Sequence, residues 1–113
     1  MQDLFTLKGK VGIVTGAAQG IGREIAVGFS RYGADIVAVD LNEEKLQEVK
    51  QEIEAEHRRC LALKVDLRSL DQIDRMAETA VREMGKIDIL ANIAGVTVHK
   101  PSEEMTEQEW DFV

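Results

Sequence analysis

A run of glycines between an apolar segment and a helix-like stretch constrains the fold of this chain more than any other feature. Residues 15–22 read Thr-Gly-Ala-Ala-Gln-Gly-Ile-Gly, so Gly16, Gly20 and Gly22 are spaced by four and by two, and the apolar segment 11–14 precedes them. A glycine-rich turn between a strand and a helix brings backbone N–H groups close to an anion at the helix N-terminus. The pattern predicts a phosphate-binding turn. The alternative is a turn whose glycines serve only tight packing of a helix against a strand.

The spacing of these glycines narrows the kind of phosphate site. The run does not end in Gly-Lys-Ser/Thr, so phosphoryl transfer of the P-loop type is not predicted. It also differs from the common G-x-G-x-x-G spacing of dinucleotide-binding folds. The preceding strand, the following helix and a later acid, Asp40, together favour dinucleotide binding. Gln19 and Ile21 lie inside the predicted turn.

Short apolar segments alternate with helix-like segments along the whole chain. The four segments predicted as strands are residues 10–15, 35–39, 61–65 and 87–92. Such alternation is typical of a parallel sheet with helices on both faces, joined by right-handed crossovers. We therefore predict a doubly wound, Rossmann-like α/β fold with strand order 3-2-1-4, in one domain spanning residues 1–113.

The predicted helices have recognisable ends and apolar faces. Asn42 is a predicted N-cap, and Ser69 with Gln72 has the spacing of a capping box. Gly33 and Gly85 are predicted to end the first and third helices. The apolar residues at helical spacing are, helix by helix, Ile21, Ile25, Phe29 and Tyr32; Leu46, Val49 and Ile53; and Ile73, Met76, Ala80, Val81 and Met84.

The remaining candidate residues follow the ends of the predicted strands. Asp40 and Leu41 follow the second strand, Asp66 and Leu67 follow the third, and residues 92–95 end the fourth. In open α/β sheets, ligands bind outside the carboxyl ends of the strands. We therefore expect these segments to share one rim with the glycine turn.

Asp40 is the residue predicted to choose the cofactor. It lies eighteen residues after Gly22, and a carboxylate there accepts hydrogen bonds from the hydroxyls of an adenosine ribose. A 2′-phosphate would face this charge, and two unit charges ~4 Å apart repel by about 1 kcal/mol in water and about 4 kcal/mol at an effective dielectric of 20. Leu41 follows rather than an arginine, and Gln19 is uncharged. NAD is therefore predicted over NADP, with a helix-capping or solvated aspartate as the alternative.

Two other segments have a functional and a structural interpretation of equal weight. Asp66 can accept a hydrogen bond from an adenine amino group, with Leu67 offering backbone contacts, or it can bind loop amides at a strand end. Asn92, Ala94 and Gly95 can let a cofactor lie across the backbone, or they can form a strand terminus with a tight turn. Their spacing leaves both interpretations open.

Composition and charge argue against several other classes of protein. The net charge is −7 and no basic patch is visible, so a nucleic-acid partner is not predicted. Apolar runs such as residues 36–39 are too short to span a bilayer, and the first residues lack the features of a signal peptide, so we expect a cytoplasmic protein. Cys60 is the single cysteine and is predicted to lie in the core. His57 and His99 have no partner pattern, so no metal site is predicted.

Taken together, these motifs resemble the short-chain dehydrogenase/reductase family. The resemblance rests on residues 15–22, Asp40, residues 66–67 and residues 90–95, which occur in the family's order; Ile93 departs from the family's Asn-Asn-Ala-Gly segment. It implies an NAD-dependent oxidoreductase that moves a hydride between NAD and a small secondary alcohol or ketone, with sugars and sugar acids among the candidate substrates. It also implies a homo-oligomer, a dimer or a tetramer, when the protein is complete.

The family's catalytic residues have no counterparts in this sequence. Catalysis in the family uses a serine, a tyrosine and a lysine four residues after the tyrosine, whereas the only tyrosine here, Tyr32, is followed at that distance by Ile36. The resemblance therefore implies the cofactor-binding part of such an enzyme, truncated before the catalytic segment and inactive alone, with a further helix starting near Glu107.

The alternatives are an NAD-sensing module without catalysis and a methyltransferase; the glycine spacing and the segment at Asn92 disfavour the latter.

Overall fold

The computed structural model describes residues 6–93, in which four strands and three helices alternate. The strands are β1 (Val11–Thr15), β2 (Asp35–Asp40), β3 (Cys60–Lys64) and β4 (Ile89–Asn92), and the helices are α1 (Gly20–Arg31), α2 (Glu43–Ala55) and α3 (Leu70–Met84). All strand pairs are parallel and the order is β3-β2-β1-β4, which confirms the predicted topology. Ala94, Gly95, His99 and the helix predicted near Glu107 lie outside the described residues.

Strand β2 lies inside the sheet and shows how the two cores form. Successive side chains of a strand point to opposite faces. Ile36 and Ala38 accordingly pack into the core that α1 and α2 cover, whereas Val37 and Val39 pack into the core that α3 covers. All four are fully buried. Helices therefore cover both faces of the sheet, as predicted.

The predicted caps of α2 and α3 are present, with one difference. The Asn42 side chain accepts the N–H of Lys45 at 3.1 Å, and Ser69 Oγ accepts the N–H of Gln72 at 3.2 Å. The Gln72 side chain does not complete a capping box: its Oε1 accepts the N–H of Asp66 at 2.7 Å, while the Ser69 N–H donates to the Asp66 carbonyl at 3.0 Å. The Gln72 side chain therefore binds the loop before α3, whereas in a capping box it would accept the N–H of Ser69.

Some predicted apolar positions are exposed. The buried residues of α3, Met76, Ala80 and Met84, are spaced by four and so lie on one face of the helix. Val81 is 49% exposed because it follows Ala80 by one residue, and one residue is a rotation of about 100° away from that face. Ile21, 65% exposed, likewise precedes the buried Gly22 by one residue. Tyr32 is exposed at the end of α1. The predicted face of α2 is confirmed, since Leu46, Val49 and Ile53 are all buried.

Strand β4 begins at Ile89, two residues later than predicted, and Asp88 just before it binds the start of β1. Asp88 Oδ2 accepts the N–H of Val11 at 2.9 Å, and the Asp88 N–H donates to the Val11 carbonyl at 2.8 Å. The Val11 N–H is the main cause of a lowered pKa of the Asp88 carboxyl, and the Lys86 ammonium, 3.2 Å away, adds to it. This pair fastens the amino-terminal edge of the sheet, opposite the rim that carries the candidate site.

Strand β3 begins at Cys60, one residue before the predicted start, and this cysteine belongs to the core as expected. Burial raises the pKa of its thiol to about 12, which keeps it protonated at neutral pH. Among residues 6–93, no three His, Cys, Asp or Glu side chains come together as metal ligands would. None of the described helices has the length and apolar character needed to cross a bilayer.

Candidate functional site

The glycine turn between β1 and α1 depends on backbone conformations and contacts that only glycine permits. Gly16 and Gly20 have φ angles of +68° and +60°, in the left-handed region that side chains disfavour. A Cβ at Gly22 would overlap the carbonyl oxygen of Gly16 and lie 2.6 Å from its carbonyl carbon. The first turn of α1 therefore packs directly on the backbone of the turn, so the packing role of the glycines is real.

The start of α1 is also open and has no capping side chain. Gln19 is the N-cap residue, but its side chain makes no capping hydrogen bond within the described part of the chain, and the first turn holds no acid. The first N–H groups of a helix have no intrahelical acceptors and carry the positive end of its dipole. A Cβ at Gly20 would meet no described atom within 4 Å beyond its chain neighbours and the backbone of its own helix. This helix end has both the charge and the space for an anion.

Asp40, at the end of β2, holds the glycine turn against the start of α2. Its Oδ2 accepts the N–H of Ala18 at 3.1 Å, and its Oδ1 accepts the N–H groups of Leu41 at 2.7 Å and Asn42 at 3.1 Å. These three N–H groups belong to the glycine turn and to the residues before α2, so Asp40 does not cap a helix; the cap of α2 is Asn42. A carboxylate has about four acceptor positions, so the three bonds leave room for one more donor. Leu41, beside it, is 53% exposed on the same rim.

Lys45 is a neighbour of this site that the sequence analysis did not single out. Its ammonium donates to Gln19 Oε1 at 2.6 Å, which connects the first turn of α2 to the glycine turn. The signal in the sequence was a cation three residues after an N-cap, in a helical turn that otherwise holds Glu43 and Glu44. Cations are disfavoured near the positive end of a helix, so a lysine there suggests a tertiary contact.

Asp66 is bound by its own loop. Its carboxylate accepts the backbone N–H of Arg68 at 2.9 Å and the Arg68 guanidinium at 3.0 Å. Hydrogen bonds from Arg68 are the largest cause of a lowered pKa of the Asp66 carboxyl. The contact with loop amides that the sequence allowed is therefore present. Leu67, next to it, packs against the core on the α3 side of the sheet.

A buried hydrogen bond joins the ends of β1 and β4. Thr15 is fully buried, and its hydroxyl donates to Asn92 Oδ1 at 2.7 Å. The two residues are also partners in the parallel register of these strands. Ile93, which follows, packs against the core under α1 and α2. The predicted residues at the end of β4 thus reach the glycine turn through Asn92; Ala94 and Gly95 lie outside the described residues.

The cation nearest to the glycine turn along α1 is engaged elsewhere. The Arg23 guanidinium binds Glu52, with Nε at 2.7 Å from Glu52 Oε1, and its Nη1 lies 3.1 Å from Glu48 Oε1. Hydrogen bonds to these two acids raise the pKa of Arg23 above its usual value. Arg23 therefore connects α1 to α2, and its guanidinium is bound to these acids rather than directed to a phosphate site.

The sheet brings most of the predicted segments together on one rim. The glycine turn contacts the end of β2 through Ala18 and Asp40, and the end of β1 contacts that of β4 through Thr15 and Asn92. Asp66 follows β3, whose last residue pairs with Asp40 in the register of the sheet. A helix start suited to an anion is thus flanked by a carboxylate that suits a hydroxyl-bearing group.

Comparisons with known proteins agree with this architecture. The family model for short chain dehydrogenases matches residues 10–113. The chain is 42% identical over 105 residues to 2,3-dihydro-2,3-dihydroxybenzoate dehydrogenase of Bacillus subtilis, covering 93% of this chain and 40% of that protein. It is 40% identical over 109 residues to 2-dehydro-3-deoxy-D-gluconate 5-dehydrogenase of Escherichia coli, covering 96% and 42%. The chain therefore spans about two-fifths of the length of these curated relatives.

A solved structure supports the same assignment. The fold superimposes with a TM-score of 0.78 on a short chain dehydrogenase from Mycobacterium paratuberculosis bound to NAD, at 32% identity, covering 96% of this chain and 45% of that one. Both the order of the motifs and the parallel 3-2-1-4 sheet agree with that likeness. Since the family model spans all but the first nine residues, the chain belongs to the short chain dehydrogenase family.

Proposed function

We propose that this chain binds NAD along the rim of its sheet, in a protein that transfers a hydride between NAD and a secondary alcohol or the corresponding ketone. The observation that carries the proposal is the uncapped start of α1, open at Gly20 and adjacent to the carboxylate of Asp40. When bound, NAD supplies the hydride acceptor, and its reduced form the donor. The solved relative with NAD supports this choice of cofactor.

Each segment of the rim has its own role in the proposal. The N–H groups at the start of α1 hold the pyrophosphate, Asp40 accepts from a ribose hydroxyl, and Asp66 accepts from the adenine amino group. Asn92 holds the end of β4 in place through Thr15, so that the cofactor lies across the residues that follow. The residues proposed to contact or border NAD are Gly16, Gln19, Gly20, Ile21, Gly22, Asp40, Leu41, Asp66, Leu67, Asn92, Ala94 and Gly95.

The preference for NAD over NADP is assigned to Asp40. Its carboxylate is anchored by three backbone N–H groups, so it cannot swing away from a 2′-phosphate without losing them. The repulsion of about 1 to 4 kcal/mol corresponds to a preference of about fivefold to nearly a thousandfold.

The proton-transfer residues of the reaction are not proposed among these 113 residues. Tyr32, the single tyrosine, lies just past the C-terminal end of α1. A helix rises 1.5 Å per residue, which puts that end roughly 18 Å from the glycine turn. We therefore expect the 113-residue chain to bind NAD without oxidising or reducing a substrate.

The substrate is proposed to be a small molecule with a secondary hydroxyl, and a sugar acid is the favoured class. One relative is named for 2-dehydro-3-deoxy-D-gluconate, a sugar acid, which supports this class. The other is named for a dihydroxylated ring acid, which also presents secondary hydroxyls next to a carboxylate-bearing skeleton. The complete protein is proposed to be a homo-oligomer.

The decisive experiment is calorimetric titration of the chain with NAD and with NADP, on the wild type and on Asp40→Asn. The asparagine removes the charge and keeps one oxygen, which can still accept the N–H groups of Leu41 and Asn42, but it loses the bond from the Ala18 N–H. We expect the wild type to bind NAD at least about fivefold more tightly than NADP, and the variant to lose most of that difference. A wild type that binds neither nucleotide would overturn the proposed function, and one that prefers NADP would overturn the role of Asp40.

A further inference from the structure

The junction between the glycine turn and α2 holds a cation as well as the carboxylate of Asp40. Lys45 is half-buried in the first turn of α2 and is fixed at both ends. Its backbone N–H donates to Asn42 Oδ1 at 3.1 Å, and its ammonium donates to Gln19 Oε1 at 2.6 Å. The ammonium is therefore directed to the glycine turn.

These contacts belong to a short network of hydrogen bonds that includes Asp40 and is completed by the peptide bond between Ala18 and Gln19. The Asp40 carboxylate accepts from Ala18 on the glycine turn and from Asn42 at the start of α2. Asn42 in turn accepts from Lys45, and Lys45 returns to Gln19, the neighbour of Ala18 in the chain. One negative and one positive side chain thus belong to the same short network at the proposed ribose end of the site.

The partner that holds the Lys45 ammonium leaves its charge unneutralised. Gln19 is an amide, so its bond to Lys45 orients the ammonium without cancelling the charge. The acids on the next turns of α2 that face α1, Glu48 and Glu52, are bound to Arg23. A cation in the first helical turn also opposes the helix dipole, so this position is not explained by stability of α2.

Resting on the proposed NAD site, we propose that Lys45 is a second determinant of cofactor specificity, which offsets the repulsion between Asp40 and a 2′-phosphate. The discrimination between NAD and NADP is then set by Asp40 and Lys45 together. Asp40 disfavours the phosphate, and the Lys45 ammonium attracts it from the glycine-turn side. NAD has no charge at the 2′ position, so its affinity depends little on Lys45.

The test compares Lys45→Met with Lys45→Arg, and with Lys50→Met as a control that removes the same charge further along α2. Each is made in the wild type and in Asp40→Asn, and NAD and NADP are titrated by calorimetry. We expect Lys45→Met to weaken NADP binding at least about fivefold in the Asp40→Asn background, as loss of one attractive charge pair at ~4 Å predicts. NAD binding should change less than about twofold, and Lys45→Arg and Lys50→Met should resemble their parents.

The ratio of the two affinities separates a specificity role from a structural one. If Lys45 only positions Gln19, then Lys45→Met weakens NAD and NADP equally, and the inference is wrong. It is also wrong if the double variant binds NADP as tightly as Asp40→Asn alone. A wild type that does not bind NAD at all would instead refute the proposed function. The failure of the inference and the failure of the proposed function are therefore distinguishable.

Discussion

Helices α1 and α2 both begin near the carboxyl edge of the sheet, yet their first turns are built differently. Helix α2 has an Asn42 cap and two acids, Glu43 and Glu44, in its first turn. Helix α1 begins after Gln19, which makes no capping bond within the described residues, and has no acid in that turn. The chain thus compensates the positive end of one helix and leaves that of its neighbour uncompensated.

The difference has an energetic meaning. An N-cap side chain contributes about 1 kcal/mol to stability, and an acid in the first turn about 0.3 to 1 kcal/mol. The start of α1 forgoes both contributions and keeps its partial positive charge facing open space at Gly20. A helix end that gives up stability and stays accessible is what binding of an anionic ligand requires, whereas the cap and the two acids of α2 contribute to stability.

The largest expected effect concerns the close packing at the start of α1. Gly22→Ala places a Cβ against the carbonyl of Gly16, and backbone cannot move aside as a flexible side chain can. We expect a loss of at least about 3 kcal/mol in the free energy of unfolding, measured by urea denaturation. Gly28→Ala is the matched control on the same helix, because a Cβ there would meet no described atom within 4 Å beyond its chain neighbours and the backbone of its own helix. It should raise stability by about 1 kcal/mol; equal stabilities would contradict the packing argument.

The second prediction converts the start of α1 into one that resembles α2. Gln19→Asp and Gln19→Asn both supply a capping oxygen, so each should raise the free energy of unfolding by about 0.5 to 1 kcal/mol. Only the aspartate adds a negative charge beside the proposed pyrophosphate. It should weaken NAD binding at least about fivefold, while the asparagine variant stays closer to the wild type. Equal effects of the two variants on NAD affinity would show that charge at this helix end is unimportant.

The third prediction compares the two helix starts by removing the side chain at each N-cap position. Asn42→Ala removes the acceptor of the Lys45 N–H and should lower the free energy of unfolding by about 1 kcal/mol. Gln19→Ala removes no capping bond and should change it by less than about 0.5 kcal/mol. Chemical denaturation of the two variants side by side measures the contrast, and similar losses would remove the distinction between the two helix starts.

The smallest effect is expected at the opposite edge of the sheet, where Asp88 also accepts a backbone N–H. Its pKa is lowered from 3.8 in the folded state, so its ionised form stabilises the fold above that pH and the contribution is lost as the pH falls through the folded pKa. Stability of the wild type relative to Asp88→Asn should therefore be constant well above pH 3.8 and decrease as the pH falls through that value and below it. NAD affinity should be unchanged at neutral pH; a change would mean that the two edges are coupled.

Much of the fold could be predicted because the relevant signals are local. Asn42, Ser69 and Gly85 define helix ends through their own backbone and the next few residues, and the structure has all three as expected. The buried face of α2 follows from spacing alone. Val81 was misassigned because its apolar character and position resemble those of Ala80, while burial depends on where the sheet lies.

The site was harder to predict, since its contacts join residues far apart in the chain. Asp40 has a role that spacing suggested, but its bond to Ala18 spans 22 residues. The bond from Lys45 to Gln19 spans 26 and has no motif that marks it. The roles of these residues toward NAD remain predictions for the titrations above.

The sequence by itself determined the alternation of strands and helices and the glycine turn, because periodicity and capping are short-range rules. The order of the sheet was predicted from the topology common to such alternating folds. Only the tertiary structure decided which side chains meet at the rim: Asp40 with Ala18, Thr15 with Asn92, and Lys45 with Gln19. Those pairings depend on the register of parallel strands and on how α1 and α2 pack. Register and packing are set by the burial of the whole core, which no local segment specifies.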